Sequence, residues 1–205
     1  MNNNQVIILA AGKSARIKEL TRDIPKSFLE ISGTKLIERH LEFVTRCDIQ
    51  EATIVVGFMK DKFKNLLGNK FKNVNITYVD CDEYDKWNHS WSIYKTRNQV
   101  ISKNKNNVII IHADTYYSFE TFIKLINHQE ENVFLVDPKY KIKTYDELLI
   151  CGKNKIVENI NFVNEQPSNI VGEFVGLHKM NKEVFLDFCS YLKHYFVTEG
   201  KTTGY

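Results

Sequence analysis

The run Val6-Ile7-Ile8-Leu9-Ala10 constrains this chain more than any other segment. It is unbroken, rich in β-branched residues and too short for a buried helix, and it ends in the small pair Ala11-Gly12. A continuous apolar run without polar alternation belongs to a strand covered on both faces, as in the interior of a parallel sheet. A strand of that kind needs helices above and below it, and the rest of the chain supplies them.

Strand and helix patterns alternate through the first two thirds of the sequence. Residues 5–10 form the first strand, and residues 36–46 follow with Leu36, Ile37, His40, Leu41 and Val44 at helical spacing and Gly33-Thr34 as the cap. Strand 52–56 ends at Gly57, and the lysine-rich amphipathic helix 61–67 stops at Gly68. Strand 75–79, helix 90–100, strand 108–111, helix 119–127 and strand 133–136 continue the rhythm. From about Asp146 the texture changes to short strands at 147–150, 155–160 and 174–178, with Gly152 and Gly172 in turns, before a final helix over 182–195. The expectation is a Rossmann-like α/β fold: a mixed, mainly parallel sheet flanked by helices on both faces, with a small antiparallel strand insertion.

Composition narrows the function classes. The chain has 205 residues, and its net charge of +3 is spread along it, which suits an anionic small molecule better than a nucleic-acid groove. Cys47, Cys81, Cys151 and Cys189 are far apart, with no C-x-x-C pair to suggest structural zinc or a disulfide framework. The N-terminus carries no cationic leader, and its apolar run is far shorter than the roughly 20 residues a membrane span requires. A cytoplasmic protein without nucleic-acid or membrane partners is the expectation, and a homodimer is compatible with it.

The chemistry is concentrated in the loop after the first strand. It lacks both the G-x-G-x-x-G of dinucleotide folds and the G-x-x-x-x-G-K-[ST] of P-loops. It reads Leu9-Ala10-Ala11-Gly12-Lys13-Ser14-Ala15-Arg16, followed by Pro25-Lys26-Ser27-Phe28-Leu29. Small residues let backbone N–H groups approach phosphate oxygens, and Arg16 and Lys26 add fixed positive charge. Asp114 follows the hydrophobic strand 108–111, and in an open α/β sheet ligands gather beyond the carboxyl ends of strands. A carboxylate there is either a ligand for a hard cation or a local cap for the helix that follows.

These segments, with Glu30-Ile31-Ser32-Gly33 and Leu36-Ile37-Glu38-Arg39-His40-Leu41-Glu42, resemble the nucleotidyltransferase family that makes nucleotide-activated sugars and alcohols. The resemblance implies transfer of a nucleotidyl group from a nucleoside triphosphate, with CTP favoured, to a small phosphorylated acceptor, with Mg²⁺ as cofactor. It assigns Leu9, Ala10, Ala11, Gly12, Lys13 and Ser14 to nucleotide binding, Arg16 to the β- and γ-phosphates, Lys26 to the α-phosphate and Asp114 to the metal. Ser14 stands where the family usually has a second glycine. The family also carries a second acidic ligand beyond a Thr/Gly-rich turn. This chain stops at Thr202-Thr203-Gly204-Tyr205, so a single domain over 1–205 lacking its C-terminal end is expected.

Residues 84–94 are dense in aromatic and amide side chains, and Asn88-x-Ser90-x-Ser92 resembles choline-phosphate-type cytidylyltransferases more than the sugar enzymes. Asn88 and Ser90 are candidates for the nucleotide, Asn88 because its amide matches a pyrimidine edge; helix capping is the alternative, and for Trp91 and Tyr94 core packing. Trp87, with Tyr84 and Trp91, is a candidate for an acceptor ammonium. Glu173, between Gly172 and Gly176, is either an acceptor contact or an exposed strand carboxylate. Lys139, Lys141 and Lys143 are either acceptor contacts or a solvated strand edge, and His112 reads as a packed neutral imidazole. The closest resemblance is to phosphocholine-type enzymes and to the cytidylyltransferase that uses phosphoglutamine in capsule phosphoramidate synthesis. A sugar-1-phosphate acceptor and a non-catalytic nucleotide-binding domain are the alternatives. A glycosyltransferase is disfavoured, because Asp114 is followed by Thr115-Tyr116 instead of completing a D-x-D.

Overall fold

The computed structural model describes residues 3–13, 17–139, 147–165 and 167–198, apart from the side chains of Lys18 and Asn164. Strand β1 (Asn4–Ala10) lies in parallel between β4 (Glu51–Val56) and β7 (Asn107–His112), and β4 pairs in parallel with β6 (Val74–Asp80). The two-residue β5 (Lys70–Phe71) closes that edge in antiparallel fashion. Beyond β7 the sheet becomes antiparallel through β11 (Ile170–Asn181), β9 (Leu148–Lys153) and β10 (Ile156–Phe162), while β8 (Val133–Asp137) runs along β11.

The unbroken apolar character of β1 follows from burial on both sides. Val6 and Ile8 join one core cluster with Ile54, Val56, Ile109 and Ile111, beneath α2 (Leu36–Arg46), α3 (Lys60–Leu67) and α6 (Phe119–Ile126). Ile7 and Leu9 join the other, with Val55, Val79, Val108 and Ile110, beneath α4 (His89–Lys95), α5 (Arg97–Ser102) and α7 (Lys182–Lys193). The period-2 alternation of strand side chains therefore divides one apolar run between two cores, each buried side chain contributing about 1.5–3 kcal/mol. The mixed α/β fold with helices on both faces is as expected.

Three local readings are corrected. Gly33-Thr34 does not cap α2: Ser32 (φ 53°) and Gly33 (φ 78°) form the turn of a hairpin between Glu30–Ile31 (β2) and Thr34–Lys35 (β3), and Lys35 precedes the helix. The helix predicted over 90–100 is two, separated at Thr96, whose hydroxyl donates back to the Ile93 carbonyl at 2.7 Å. Gly152 and Gly172 lie within strands, where an added Cβ would meet the Ile156 carbonyl oxygen at 2.0 Å and that of Asp137 at 2.6 Å. The turn between β9 and β10 is instead made by Asn154 (φ 53°) and Lys155 (φ 64°).

Candidate active site at the carboxyl ends of the parallel strands

All four parallel strands end on the same edge of the sheet, and their following loops are tied to one another there. Ala113 N–H donates to the Leu9 carbonyl at 3.1 Å, extending the β1–β7 ladder into the loop that carries Asp114. Phe58 N–H donates to the Ala11 carbonyl at 2.9 Å, joining the loops after β1 and β4. Gly57 is required between them: a Cβ there would lie 2.7 Å from the Cys81 carbonyl oxygen and 2.9 Å from that of Ala11. At Gly12, by contrast, an added Cβ would meet nothing within 4 Å among the described residues, and the residue is exposed.

Lys26 and Asp114, 88 residues apart in sequence, meet here: Lys26 Nζ donates to Asp114 Oδ2 at 2.6 Å. Lys26 opens a 3-10 turn, Lys26–Phe28, behind the buried Pro25. Phe28 anchors that turn edge-on to Phe63, with 4.8 Å between ring centroids. Asp114 does not cap the next helix, because Ser118 does so by accepting from Thr121 N–H at 3.1 Å. Burial acts to raise the Asp114 carboxyl, but the Lys26 hydrogen bond and charge outweigh it and hold the group below the usual carboxylate range. It is therefore an ionised, solvent-facing carboxylate beside a positioned ammonium.

The flank of this edge beside β7 is built from rings. His112 stacks on His89, with centroids 4.8 Å apart and planes 25° from parallel, and meets Phe174 edge-on at 5.5 Å. Gly176 (φ 73°) permits this approach, since a Cβ there would fall 2.8 Å from His112 Cβ. Burial, with lesser effects from His89 and His178, pushes the His112 imidazole down to about 3, so it is neutral as predicted. The β11 register shifts between Phe174 and His178 at the same place.

The other candidate residues distribute unevenly. Leu9 and Ala11 are buried and Ala10 half-buried, while Gly12 and Lys13 are exposed, the Lys13 ammonium 6.0 Å from the Phe58 ring centroid. Asn88 caps α4, its Oδ1 accepting from Ser90 N–H at 3.0 Å, and Ser90 is buried. The His89–His112 stack nevertheless brings this helix start to the end of β7, two residues before Asp114. Trp87 stacks on Trp91 at 4.8 Å and meets Phe196 edge-on at 5.1 Å, packed against the core cluster beneath α7. Glu173 is half-buried in β11 beside Phe174, paired with Asp137 and Leu149. Ser14, Arg16, Lys141 and Lys143 lie outside the described residues, and Lys139 is exposed.

Sequence reasoning missed Gly57, Phe58, His89 and Phe174 as parts of this edge. The glycine directly after a buried strand was the one available signal, because only strand order reveals which loops converge.

A hard cation fits the donor set. Asp114 presents an ionised carboxylate, and one or two carboxylates plus substrate phosphates suffice for Mg²⁺. Among the described residues no group of three His, Cys, Asp or Glu side chains could hold a metal unaided. Substrate oxygens would have to complete the coordination.

A chain with this sheet and this loop pattern matches the nucleotidyl transferase family over residues 5–148, and it belongs to that family. It is 32% identical over 136 residues to the CTP:phosphoglutamine cytidylyltransferase of Campylobacter jejuni, covering 65% of this chain and 53% of that protein. It is 29% identical over 164 residues to the choline-phosphate cytidylyltransferase of Haemophilus influenzae, covering 79% and 64%. A bifunctional sugar-1-phosphate nucleotidylyltransferase/acetyltransferase of Sulfurisphaera tokodaii is 28% identical over 182 residues, or 88% of this chain and 42% of that protein. The chain thus spans about half the length of these curated relatives. The fold also matches a solved CTP:phosphocholine cytidylyltransferase from Streptococcus pneumoniae, with a TM-score of 0.70 at 22% identity, covering 96% of this chain and 79% of that one. No described helix is long and apolar enough to cross a membrane.

Proposed function

We propose that this protein is a cytidylyltransferase that moves CMP from CTP to a small phosphorylated amine or amino acid, phosphocholine or phosphoglutamine in type, releasing pyrophosphate. Modification of a capsule or surface polysaccharide is the accompanying role. The observation that carries the reading is the 2.6 Å contact of Lys26 with Asp114 at the carboxyl ends of β1 and β7. Such a half-exposed pair contributes only about 0–1 kcal/mol to stability, so folding alone does not account for a cation and an anion held together on a ligand-facing edge.

A phosphate acceptor is ionised at neutral pH and needs no general base. One of its oxygens attacks the α-phosphorus, the new P–O bond forms as the bond to the β-phosphate oxygen breaks, and the electron pair leaves with pyrophosphate. The protein has to offset anion–anion repulsion and align the reactants. Lys26 serves the α-phosphate once the nucleotide separates it from Asp114, and Arg16 the leaving group. Gly12 and the neighbouring loop residues offer backbone N–H groups to phosphate, while Asn88 at the start of α4 faces the base. Asp114 would hold Mg²⁺, which when bound neutralises phosphate charge. Glu173, beside the Phe174–His112 contact, suits an acceptor ammonium, and Trp87, two residues before the His89 that stacks on His112, is the aromatic candidate for the same group.

A sugar-1-phosphate acceptor is the second reading, favoured by the similarity to the Sulfurisphaera tokodaii protein over 88% of the chain. Pyrophosphate release measured with each of CTP, UTP, GTP and ATP against phosphocholine, phosphoglutamine and sugar 1-phosphates tests both. CTP with an amine or amino-acid phosphate should be turned over fastest. A preference for a sugar 1-phosphate overturns the acceptor assignment, and no release with any pair overturns the catalytic one.

A further inference from the structure

Lys26 and Asp114 are presented to each other by backbones that are anchored elsewhere. Lys26 opens a turn in which Phe28 N–H donates to the Pro25 carbonyl at 2.8 Å, and the Phe28 ring is buried against Phe63. Asp114 follows the buried Ala113, whose N–H is held by the Leu9 carbonyl, and Thr115 N–H donates back to the His112 carbonyl at 3.2 Å. The two side chains are 39% and 41% exposed. They can separate by changing rotamer, with no movement of the segments that carry them.

Their contact sets two requirements of the site against each other. A hard cation needs the Asp114 carboxylate, yet the Lys26 ammonium already stands 2.6 Å from one of its oxygens. One ammonium and one carboxylate leave no net charge to attract a dication. A metal approaching the second oxygen also meets the repulsion of the ammonium, which falls off only as the inverse of distance. The surroundings do not compensate, because among the described residues no group of three His, Cys, Asp or Glu side chains could hold a metal. A phosphate alters the balance, since it accepts from a lysine ammonium as well as a carboxylate does and gives Lys26 another partner.

We infer that Lys26 is the resident counter-ion of Asp114 and keeps this carboxylate closed to metal until a nucleotide phosphate draws the ammonium away. The inference rests on the functional reading above and adds an order to it: metal joins the site together with the nucleotide and not before it. The charge at residue 26 thereby couples the two ligands, and couplings of this kind run to about 5- to 150-fold in affinity.

The test is metal binding to the full chain without nucleotide, with Mn²⁺ as the probe and free Mn²⁺ followed by electron paramagnetic resonance. K26M should bind Mn²⁺ about 5- to 150-fold more tightly than the wild type. K26R keeps the charge and should stay as weak as the wild type, and adding D114N to K26M should remove the gain. K26M with wild-type affinity, or a gain that survives D114N, overturns the inference; K26Q takes the place of K26M if that variant does not fold. CMP brings the α-phosphate alone, and at saturation it should raise Mn²⁺ affinity more in the wild type than in K26M. Equal increments in the two would also overturn it. The comparison without nucleotide needs neither CTP nor turnover. A wild type that binds no CMP and is inactive with every nucleotide would therefore sink the functional reading, while K26M still decides whether Lys26 guards Asp114.

Discussion

Gly57 lies where a single added carbon would strike two backbone carbonyls, those of Cys81 at 2.7 Å and Ala11 at 2.9 Å. The loops after β1, β4 and β6 therefore close on one another only because residue 57 has no side chain. Gly57→Ala must displace one of these backbones. A loss of CTP affinity of about tenfold is expected, with the melting temperature falling because overpacking costs about 1–3 kcal/mol. Calorimetric titration and thermal unfolding check both, and unaltered affinity would show that these loops do not shape the nucleotide site.

Removing the Lys26 ammonium should separate catalysis from stability. Lys26→Met is expected to lower pyrophosphate release by about 100- to 1,000-fold, the range for losing one stabilising donor, while stability changes by no more than about 1 kcal/mol. Asp114→Asn should keep the fold and lose the response to added Mg²⁺. A mutant at either position with ordinary turnover would remove that residue from the mechanism.

Gly176→Ala tests the closeness of β11 to His112. Its positive φ of 73° and its 2.8 Å approach to His112 both oppose a side chain, and a cost of about 2 kcal/mol or more follows. Denaturant unfolding should show it as a lower midpoint with an unchanged slope.

Acid should destabilise the protein through its buried imidazoles. His178 stacks on Phe134 at 5.0 Å, and burial lowers it from 6.5 to about 3. A depressed native value means that the unfolded chain takes up the proton first. The contribution of His178 is therefore complete above pH 6.5 and is lost as pH falls toward 3. Melting temperature should decline from pH 6.5 to 5, and His178→Leu should make that decline shallower. An identical slope in the mutant would contradict the assignment.

The β9–β10 turn offers a gain. Asn154 and Lys155 both have positive φ, the geometry of a type I′ turn, for which Asn-Gly is the preferred pair. Lys155→Gly should stabilise the fold by about 1 kcal/mol, the strain a side chain brings to that conformation. Thermal unfolding at several protein concentrations would measure it.

How much of this was legible beforehand depended on whether the signal was local. The apolar run of β1 and the helical spacing of α2 predicted both elements closely, because each reports burial through its own periodicity. Lys26 and Asp114 were legible as loop cations and strand-end anions, and parallel strand order alone brought them together. The failures were contextual. Thr96 breaks a helix through a buried hydroxyl that could equally have pointed to solvent. Gly152 and Gly172 resembled turn residues but answer to the backbones of neighbouring strands. Asn88 kept its place near the site while spending its Oδ1 on a helix cap, and no local pattern revealed that Trp87 would stack on Trp91.

Strand β11 touches β7, β8 and β9 along one stretch of chain. Every parallel strand of the sheet has been synthesised by His112, whereas the strand that covers the outer flank of β7 does not begin until Ile170. During synthesis, then, the edge that gathers Lys26 and Asp114 exists beside a bare hydrogen-bonding margin on β7. The late arrival of β11 is the event that seals this margin and carries Phe174 against His112.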